Sequence, residues 1–346
     1  VINWFQLDDD KDGYGNECDC APGDPLAFPG ATEFCDGVDN DCDVVVDEGC
    51  VGACATPGTQ IADIQVSHDS GASHAASVAW TGTEYGVAWH DDRQGDGNWE
   101  IYFARLDSSG QRVDPAIRIT YAEGVSAYPS LVWTGTEYGV AWRDDRDGNQ
   151  EIYFTRLNAG GLRLTPARRL TDDAAVSGWP SLAWNGEEYG LAWYDERDGN
   201  REIYFNRLHA SGNKIRTDVR VTDDAGSSHM PSLDWTGKDW GIAWHDDRFG
   251  DTEILFSRLD PVGNEIGDDV RVTAEPGASE NVSLVSNGSI YGAVWHDYRD
   301  GAWEIYFARL DPAGTKLGAD LRVTTATEIS GWPDVAWNGS EFGVFW

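Results

Sequence analysis

Apolar and polar positions along most of this chain follow a β pattern. Short runs of β-branched and aromatic residues, each closed by Gly, Asn or Asp, recur from about Val66 to Trp346. In one such unit Ser181-Leu-Ala-Trp184 predicts a first strand and Asn185-Gly186 a tight turn. Tyr189-Gly-Leu-Ala-Trp193 predicts a second strand, followed by a loop with Asp-x-Arg-x-Gly. Glu202-Ile-Tyr-Phe-Asn-Arg-Leu208 predicts a third, and after a turn at Gly212 a fourth ends in Val219-Arg-Val-Thr222. Such runs and turns mark strands and hairpins, and no segment carries a helical period.

The unit repeats. Trp80, Trp133, Trp184, Trp235 and Trp337 close its first strand in turn, and Ser286 takes that place once. The spacing is 53 residues from Trp80 to Trp133 and 51 at each later step. A period in this range means a propeller blade or a solenoid coil, and four short strands per unit favour the blade. The phase of the repeat adds detail. Ile64-Gln-Val-Ser67 matches a fourth strand, five full units follow, and residues 333–346 supply only a first and second strand. The prediction is an all-β fold, a six-bladed β-propeller closed by that N-terminal strand. Its last blade is incomplete, lacking a third strand, and the natural chain is expected to continue past Trp346. The propeller would span residues 56–346, after a small segment at residues 1–55.

The repeat resembles that of TolB-like propellers and, more loosely, the BNR-type repeats of sialidases. Pro180-Ser-Leu-Ala-Trp184, Arg197-Asp-Gly-Asn-Arg-Glu-Ile-Tyr204 and Arg220-Val-Thr222 carry the likeness. It implies the propeller fold and says little of activity, because propellers host many functions. The Asp-box of sialidases, Ser-x-Asp-x-Gly-x-x-Trp, is absent, which counts against that enzyme class.

Residues stamped into every unit read as scaffold. Asp91, Asp144, Asp195, Asp246 and Asp297 follow the second-strand tryptophan by two. Arg93, Arg146, Arg197, Arg248 and Arg299 come two later, and Glu100, Glu151, Glu202, Glu253 and Glu304 open the third strand. An active site is assembled once from dissimilar groups, so Asp–Arg bonding that locks the loop is the expected role. Function is sought where units differ. Five residues before each first-strand Trp or Ser286 stand Ala75, Tyr128, Trp179, Met230, Asn281 and Trp332. In a propeller these would ring the mouth of the central channel. They would either pack as a plug or stack on sugar rings and hold apolar groups of a partner. His90, His245 and His296 share the slot after the second-strand Trp, where other units have Arg143 and Tyr194; His74 and His229 share another. Imidazoles suit Zn or Cu, but blade-equivalent positions lie apart around a ring, so surface histidines are expected.

The first fifty-five residues differ in kind. They hold all six cysteines, Cys18, Cys20, Cys35, Cys42, Cys50 and Cys54, without the paired spacing of a zinc site. Disulfides in an oxidising compartment are expected, their connectivity open. Asp8, Asp10, Asp12, Tyr14, Asn16 and Asp19 fall at positions 1, 3, 5, 7, 9 and 12 of a calcium loop, with Gly13 at the sharp turn. Asp39, Asp41, Asp43, Asp47 and Glu48 form a second acidic group, with Val44 where the loop prefers Gly. The stretch Cys35-Asp-Gly-Val-Asp-Asn-Asp-Cys-Asp43 resembles the MopE-type metal-binding repeat of secreted bacterial proteins, and the first loop resembles thrombospondin type 3 calcium repeats. The resemblance implies divalent metal, read as Ca²⁺ that rigidifies a segment too short for its own core. No Met or His lies there to favour copper.

Charge and hydropathy narrow the function. With 25 basic and 60 acidic residues the net charge is −35, a field that repels nucleic acid and anionic membranes. No apolar run is long enough to span a membrane. The expectation is an extracellular or cell-surface calcium-binding propeller that serves as a binding, adhesion or structural module, with a glycan or extracellular protein as partner. The alternative is a propeller hydrolase or lyase acting on polysaccharide. It would need unrepeated carboxylates at the mouth, and Glu280, Asp334, Glu123 and Glu275 are the candidates.

Overall fold

The structure, a computed structural model, describes residues 2–5, 65–67, 71–95, 97–325, 330–337, 339 and 341–346. All eleven predicted metal-ligating residues, from Asp8 to Glu48, and all six cysteines lie outside the described residues.

Every described element is a strand. After β1 (Ile2–Phe5), the first blade is β2 (Ser73–Trp80), β3 (Glu84–Asp91), β4 (Glu100–Asp107) and β5 (Ile117–Arg118). The second is β6 (Ser126–Trp133), β7 (Glu137–Asp144), β8 (Glu151–Asn158) and β9 (Arg168–Arg169). The third is β10 (Ser177–Trp184), β11 (Glu188–Asp195), β12 (Glu202–His209) and β13 (Val219–Arg220). The fourth is β14 (Ser228–Trp235), β15 (Trp240–Phe249), β16 (Asp251–Leu259) and β17 (Val270–Arg271). The fifth is β18 (Ser279–Ser286), β19 (Tyr291–Asp297), β20 (Glu304–Leu310) and β21 (Leu321–Arg322). β22 (Asp334–Trp337) and β23 (Phe342–Phe345) end the chain. The five blades are four-stranded antiparallel meanders in chain order, and the chain is a β-propeller. The first strands of adjacent blades pack on one another, which makes them the inner strands.

Blades join through aromatic cores. Ile203 and Phe205 of the third blade bury against Leu233, Trp240, Ile242 and Trp244 of the fourth. The Tyr-Gly step of the repeat has a packing cause. A Cβ on Gly139 would stand 2.5 Å from the Tyr189 ring of the next blade, so only glycine admits that ring.

The repeated charges are scaffold, as predicted. Asp195 accepts from Arg197 Nε at 2.8 Å, from Trp193 Nε1 at 3.0 Å and from Ser177 Oγ at 2.9 Å. Ser177 begins the inner strand and Arg197 lies in the loop after β11, so one buried carboxylate ties both loops of its face. Burial acts to raise the Asp195 carboxyl; the bonds from Arg197 and Trp193 overcome this and hold it below the usual carboxylate range. Asp91, Asp144, Asp246 and Asp297 repeat the arrangement. Glu202 instead anchors Arg220 of β13 at 2.8 Å.

The three-stranded sheet belongs to a second compact unit, formed by Val1–Asp63 with Val335–Phe345. Its order is β1-β23-β22. β1 runs antiparallel to β23, from Ile2↔Phe345 to Phe5↔Phe342. The incomplete blade was expected to lack a third strand; β1 takes the edge that a third strand takes in each complete blade. In the unit Ile64–Asp334, the described part of the expected N-terminal fourth strand, residues 65–67, is not in a strand. Its register is nevertheless kept: Arg112 Nη1 donates to Val66 O at 3.3 Å, as Arg163 Nη1 donates to Ile119 O at 3.1 Å after β5.

Candidate ligand-binding face

Each inner strand carries a bulge near its start. In the third blade Gly178 pairs with Tyr194 and Ser181 with Ala192, so Trp179 and Pro180 together oppose Trp193. The first bulge residue adopts a left-handed backbone. Among the described residues, positive φ outside glycine occurs at Ala75 (49°), Tyr128 (53°), Trp179 (47°), Met230 (48°), Asn281 (54°) and Trp332 (57°). These six are the channel-mouth candidates named from sequence. For residues with a Cβ this conformation costs about 1 kcal/mol or more, and Asn alone among these side chains tolerates it well.

The neighbouring blade supplies a partner where it carries histidine. Nδ1 of His90 accepts the Tyr128 N–H at 3.3 Å, Nδ1 of His245 that of Asn281 at 3.2 Å, and Nδ1 of His296 that of Trp332 at 3.4 Å. These rings are 6%, 9% and 7% exposed. For these three the expectation of surface histidines is corrected: they are buried acceptors between blades, whereas His74 is exposed as expected and His229 half-buried. An accepting Nδ1 places the ring proton on Nε2. His245 thus donates from Nε2 to His229 Nδ1 at 3.2 Å. The Asn281 side-chain amide nitrogen is placed 3.1 Å from His296 Nε2. With the ring proton on Nε2, the hydrogen bond there calls for the amide oxygen, which the flipped amide supplies. Burial foremost pushes His90 and His245 down to about 4 and His229 to about 3. Among the described residues no group of three or more His, Cys, Asp or Glu is arranged to hold a metal ion.

Rings continue between these bonds. His90 meets Trp99 at 5.0 Å and Tyr128 at 5.1 Å; Tyr128 meets Trp179 of the next blade at 4.0 Å between centroids. Trp179 meets Tyr194 at 5.8 Å and His229 at 5.2 Å. Farther round, His296 packs on Trp303 at 4.5 Å. Arg143 lies over both Tyr128 and Trp179, and Arg201 over Tyr194. Trp332 is 61% exposed, whereas Tyr128, Trp179, Met230 and Asn281 are half-buried. The surface offers stacking faces edged with hydrogen-bond donors.

Two of its four candidate carboxylates are committed. Glu280 lies 3.6 Å from His296 Nε2, and that contact foremost holds it below the usual carboxylate range. Asp334 accepts from Ser283 Oγ at 2.6 Å on the inner strand, while Glu123 and Glu275 are exposed. Sequence reasoning passed over Arg143, Tyr194, Trp99 and Trp303 as ligand-face residues. Two of them share the slot of the three buried histidines, a slot whose variation was the available signal.

Comparison with known proteins follows the division of the chain. A family model described as "Putative metal-binding motif" (Cu-binding MopE) matches residues 19–48. No curated protein matches the chain. Among solved structures, the subtype N10 neuraminidase-like protein of A/little yellow-shouldered bat/Guatemala/060/2010 aligns with a TM-score of 0.54 at 10% identity, over 76% of this chain and 86% of that one. The neuraminidase-like protein from A/bat/Guatemala/164/2009 gives 0.54 at 12%, over 77% and 79%. Trypanosoma rangeli sialidase gives 0.52 at 10%, over 79% and 54%. At these identities the likeness is one of fold. The TolB-like resemblance rests on the repeat motif alone.

Proposed function

We propose that the chain is an extracellular or cell-surface recognition module whose display face binds glycan rings, and whose N-terminal segment is stiffened by Ca²⁺. One observation carries the glycan reading. Six positions, five of them at a bulge, repeat one strained backbone while presenting Ala, Tyr, Trp, Met, Asn and Trp. A strained conformation retained under changing side chains fits a display surface better than a core. Half-buried aromatic faces edged by imidazole, amide and guanidinium groups suit a sugar ring, which offers C–H faces and equatorial hydroxyls.

Hydrolysis has less support. Cleavage of a glycosidic bond needs an acid kept protonated near neutral pH beside a second carboxylate. Glu280 is pulled the other way by His296, and the five repeated aspartates are bound to arginine. For the segment at residues 19–48, hard carboxylate oxygens at alternating positions favour calcium over softer metals, and clustered cysteines favour an oxidising compartment.

A glycan array probed with the intact chain and with Trp179→Ala and Trp332→Ala tests the reading. Binding that weakens at least about tenfold in either variant is expected, since one stacked ring contributes on the order of 1–2 kcal/mol. Absence of binding by the unmodified chain would overturn it.

A further inference from the structure

Arg143 differs from most arginines of the repeat, and also from Arg112 and Arg216, which lack an acid among the described residues but donate to the backbone carbonyls of Val66 and Gly263. Arg146 and Arg197 are bound to aspartate, Arg169 and Arg220 to glutamate, and Arg156 and Arg207 to the glutamate that opens the second strand of their blade. Arg143 occupies the slot held by His90 in the first blade and Tyr194 in the third. Its Nη1 donates to Gln150 Oε1 at 3.3 Å, and its guanidinium carbon lies 4.9 Å from the Tyr128 centroid and 5.6 Å from that of Trp179. Among the described residues no carboxylate oxygen lies within 4.0 Å of its nitrogens.

Half-buried guanidinium groups are normally matched by an acid, because the group loses hydration without recovering it. Arg143 presents a planar fork of five donors, of which the fold uses one. Its charge is felt by the neighbouring imidazole. After burial, His74 and Arg143 itself are the next causes that push His90 down, and Arg201 acts in the same sense on His229. Arg201 is matched by Glu196 at 2.8 Å; Arg143 is not matched. A chain of net charge −35 therefore keeps an uncompensated cation against its stacked aromatic pair. The overall field opposes anions at long range, but it is screened within about 8 Å at physiological salt. Selection for an anion would then act through short-range contact at the fork.

We propose that the display face takes an acidic saccharide, with Arg143 gripping a carboxylate or sulfate substituent while Tyr128 and Trp179 stack on the ring that carries it. This rests on the glycan reading above and names the ligand class for the same site. A planar carboxylate, or two oxygens of a tetrahedral sulfate, meets the fork through paired hydrogen bonds, which an ammonium cannot reproduce.

The test uses the intact chain and matched pairs of oligosaccharides: trigalacturonate and trimannuronate with their methyl esters, and a chondroitin sulfate tetrasaccharide with its desulfated form. At least one acid is expected to bind about tenfold or more tightly than its neutral partner, the scale of one charge-assisted contact. The carboxylate and sulfate arms separate the two substituents. Arg143→Gln should bring the ratio to about one, and Arg143→Lys should recover only part of it. Equal binding of acid and neutral forms overturns the acidic class and leaves the glycan reading standing. Binding of no saccharide by the unmodified chain overturns both. Should Arg143→Gln fail to fold, the ratio in the unmodified chain decides.

Discussion

His90 Nδ1 accepts the backbone N–H of Tyr128 at 3.3 Å, so a ring on the first blade fixes the left-handed residue on the second. His245 does the same for Asn281, and His296 for Trp332. The bond requires a neutral ring, because a protonated imidazole has no lone pair to offer. Display geometry and protonation are thereby linked.

That link gives a pH dependence of stability. His90 and His245 titrate near 4 and His229 near 3 in the fold, against about 6.5 in an unfolded chain. For a depressed histidine the unfolded state takes up the proton first, so these groups weaken the fold as pH falls from about 6.5 towards 4. Each contributes on the order of 1–2 kcal/mol once partial solvation is allowed for. Urea denaturation at pH 7.5, 6 and 4.5 should show the decline, and His245→Gln should flatten it by one group's share. A decline unaltered in that variant would remove the imidazole from the account.

Much of the fold was legible, for reasons visible in particular residues. The Trp-x-Gly and Tyr-Gly steps mark a hairpin and a close ring contact, both local, and Asp195-x-Arg197 bonds within three residues of chain. The six left-handed residues were found by position, because their variation interrupts a strict repeat. Their left-handed backbone was not legible: Tyr and Trp carry no preference for it, and the partners that hold it lie on another blade. The histidines misled for the same reason. A lone His after a strand tryptophan gives no sign that a backbone N–H from the next unit will cover it. β1 escaped notice because Ile2-Asn-Trp-Phe5 lacks the Glu-Ile step of the other third strands.

The N-terminal segment makes a separate prediction from composition alone. Calorimetric titration of the intact, metal-stripped chain with Ca²⁺ should show binding, and Asp10→Ala with Asp12→Ala should abolish the event assigned to the first loop, which loses two of its carboxylates. At free Ca²⁺ about a hundredfold above Kd the ion would stabilise that segment by about 2.7 kcal/mol. Chelation should therefore raise its susceptibility to protease. Protection unchanged by EDTA would leave the segment without a structural ion.

The fourth and fifth blades depart from the repeat at two residues that meet. Ser286 stands where other blades have tryptophan, and its backbone N–H reaches Asp234 Oδ2 at 2.5 Å. Asp234 itself stands where the other blades have Ala79, Val132, Ala183 and Val285. In the third blade the tryptophan covers its neighbour, Trp184 to Tyr189 at 4.7 Å; Ser286 leaves Tyr291 without that ring. Burial pushes Asp234 up to about 6, against the bond from Ser286. A raised carboxylate acts in the sense opposite to the histidines: its contribution is complete below about pH 4 and is lost as pH rises through about 6. Asparagine keeps an oxygen for the Ser286 N–H and carries no charge. Asp234→Asn should therefore be more stable than the parent by about 1–2 kcal/mol at pH 7.5, and equal to it near pH 4, as read from denaturant midpoints at the two values. Asp234→Ala separates charge from hydrogen bond. It removes the same ionisation but leaves the Ser286 N–H unmatched, at a cost of about 1–3 kcal/mol, so it should fall below the Asn variant at both pH values. Should Asn and Ala behave alike, Ser286 draws nothing from Asp234, and the paired departure across the fourth and fifth blades has no energetic basis in that contact.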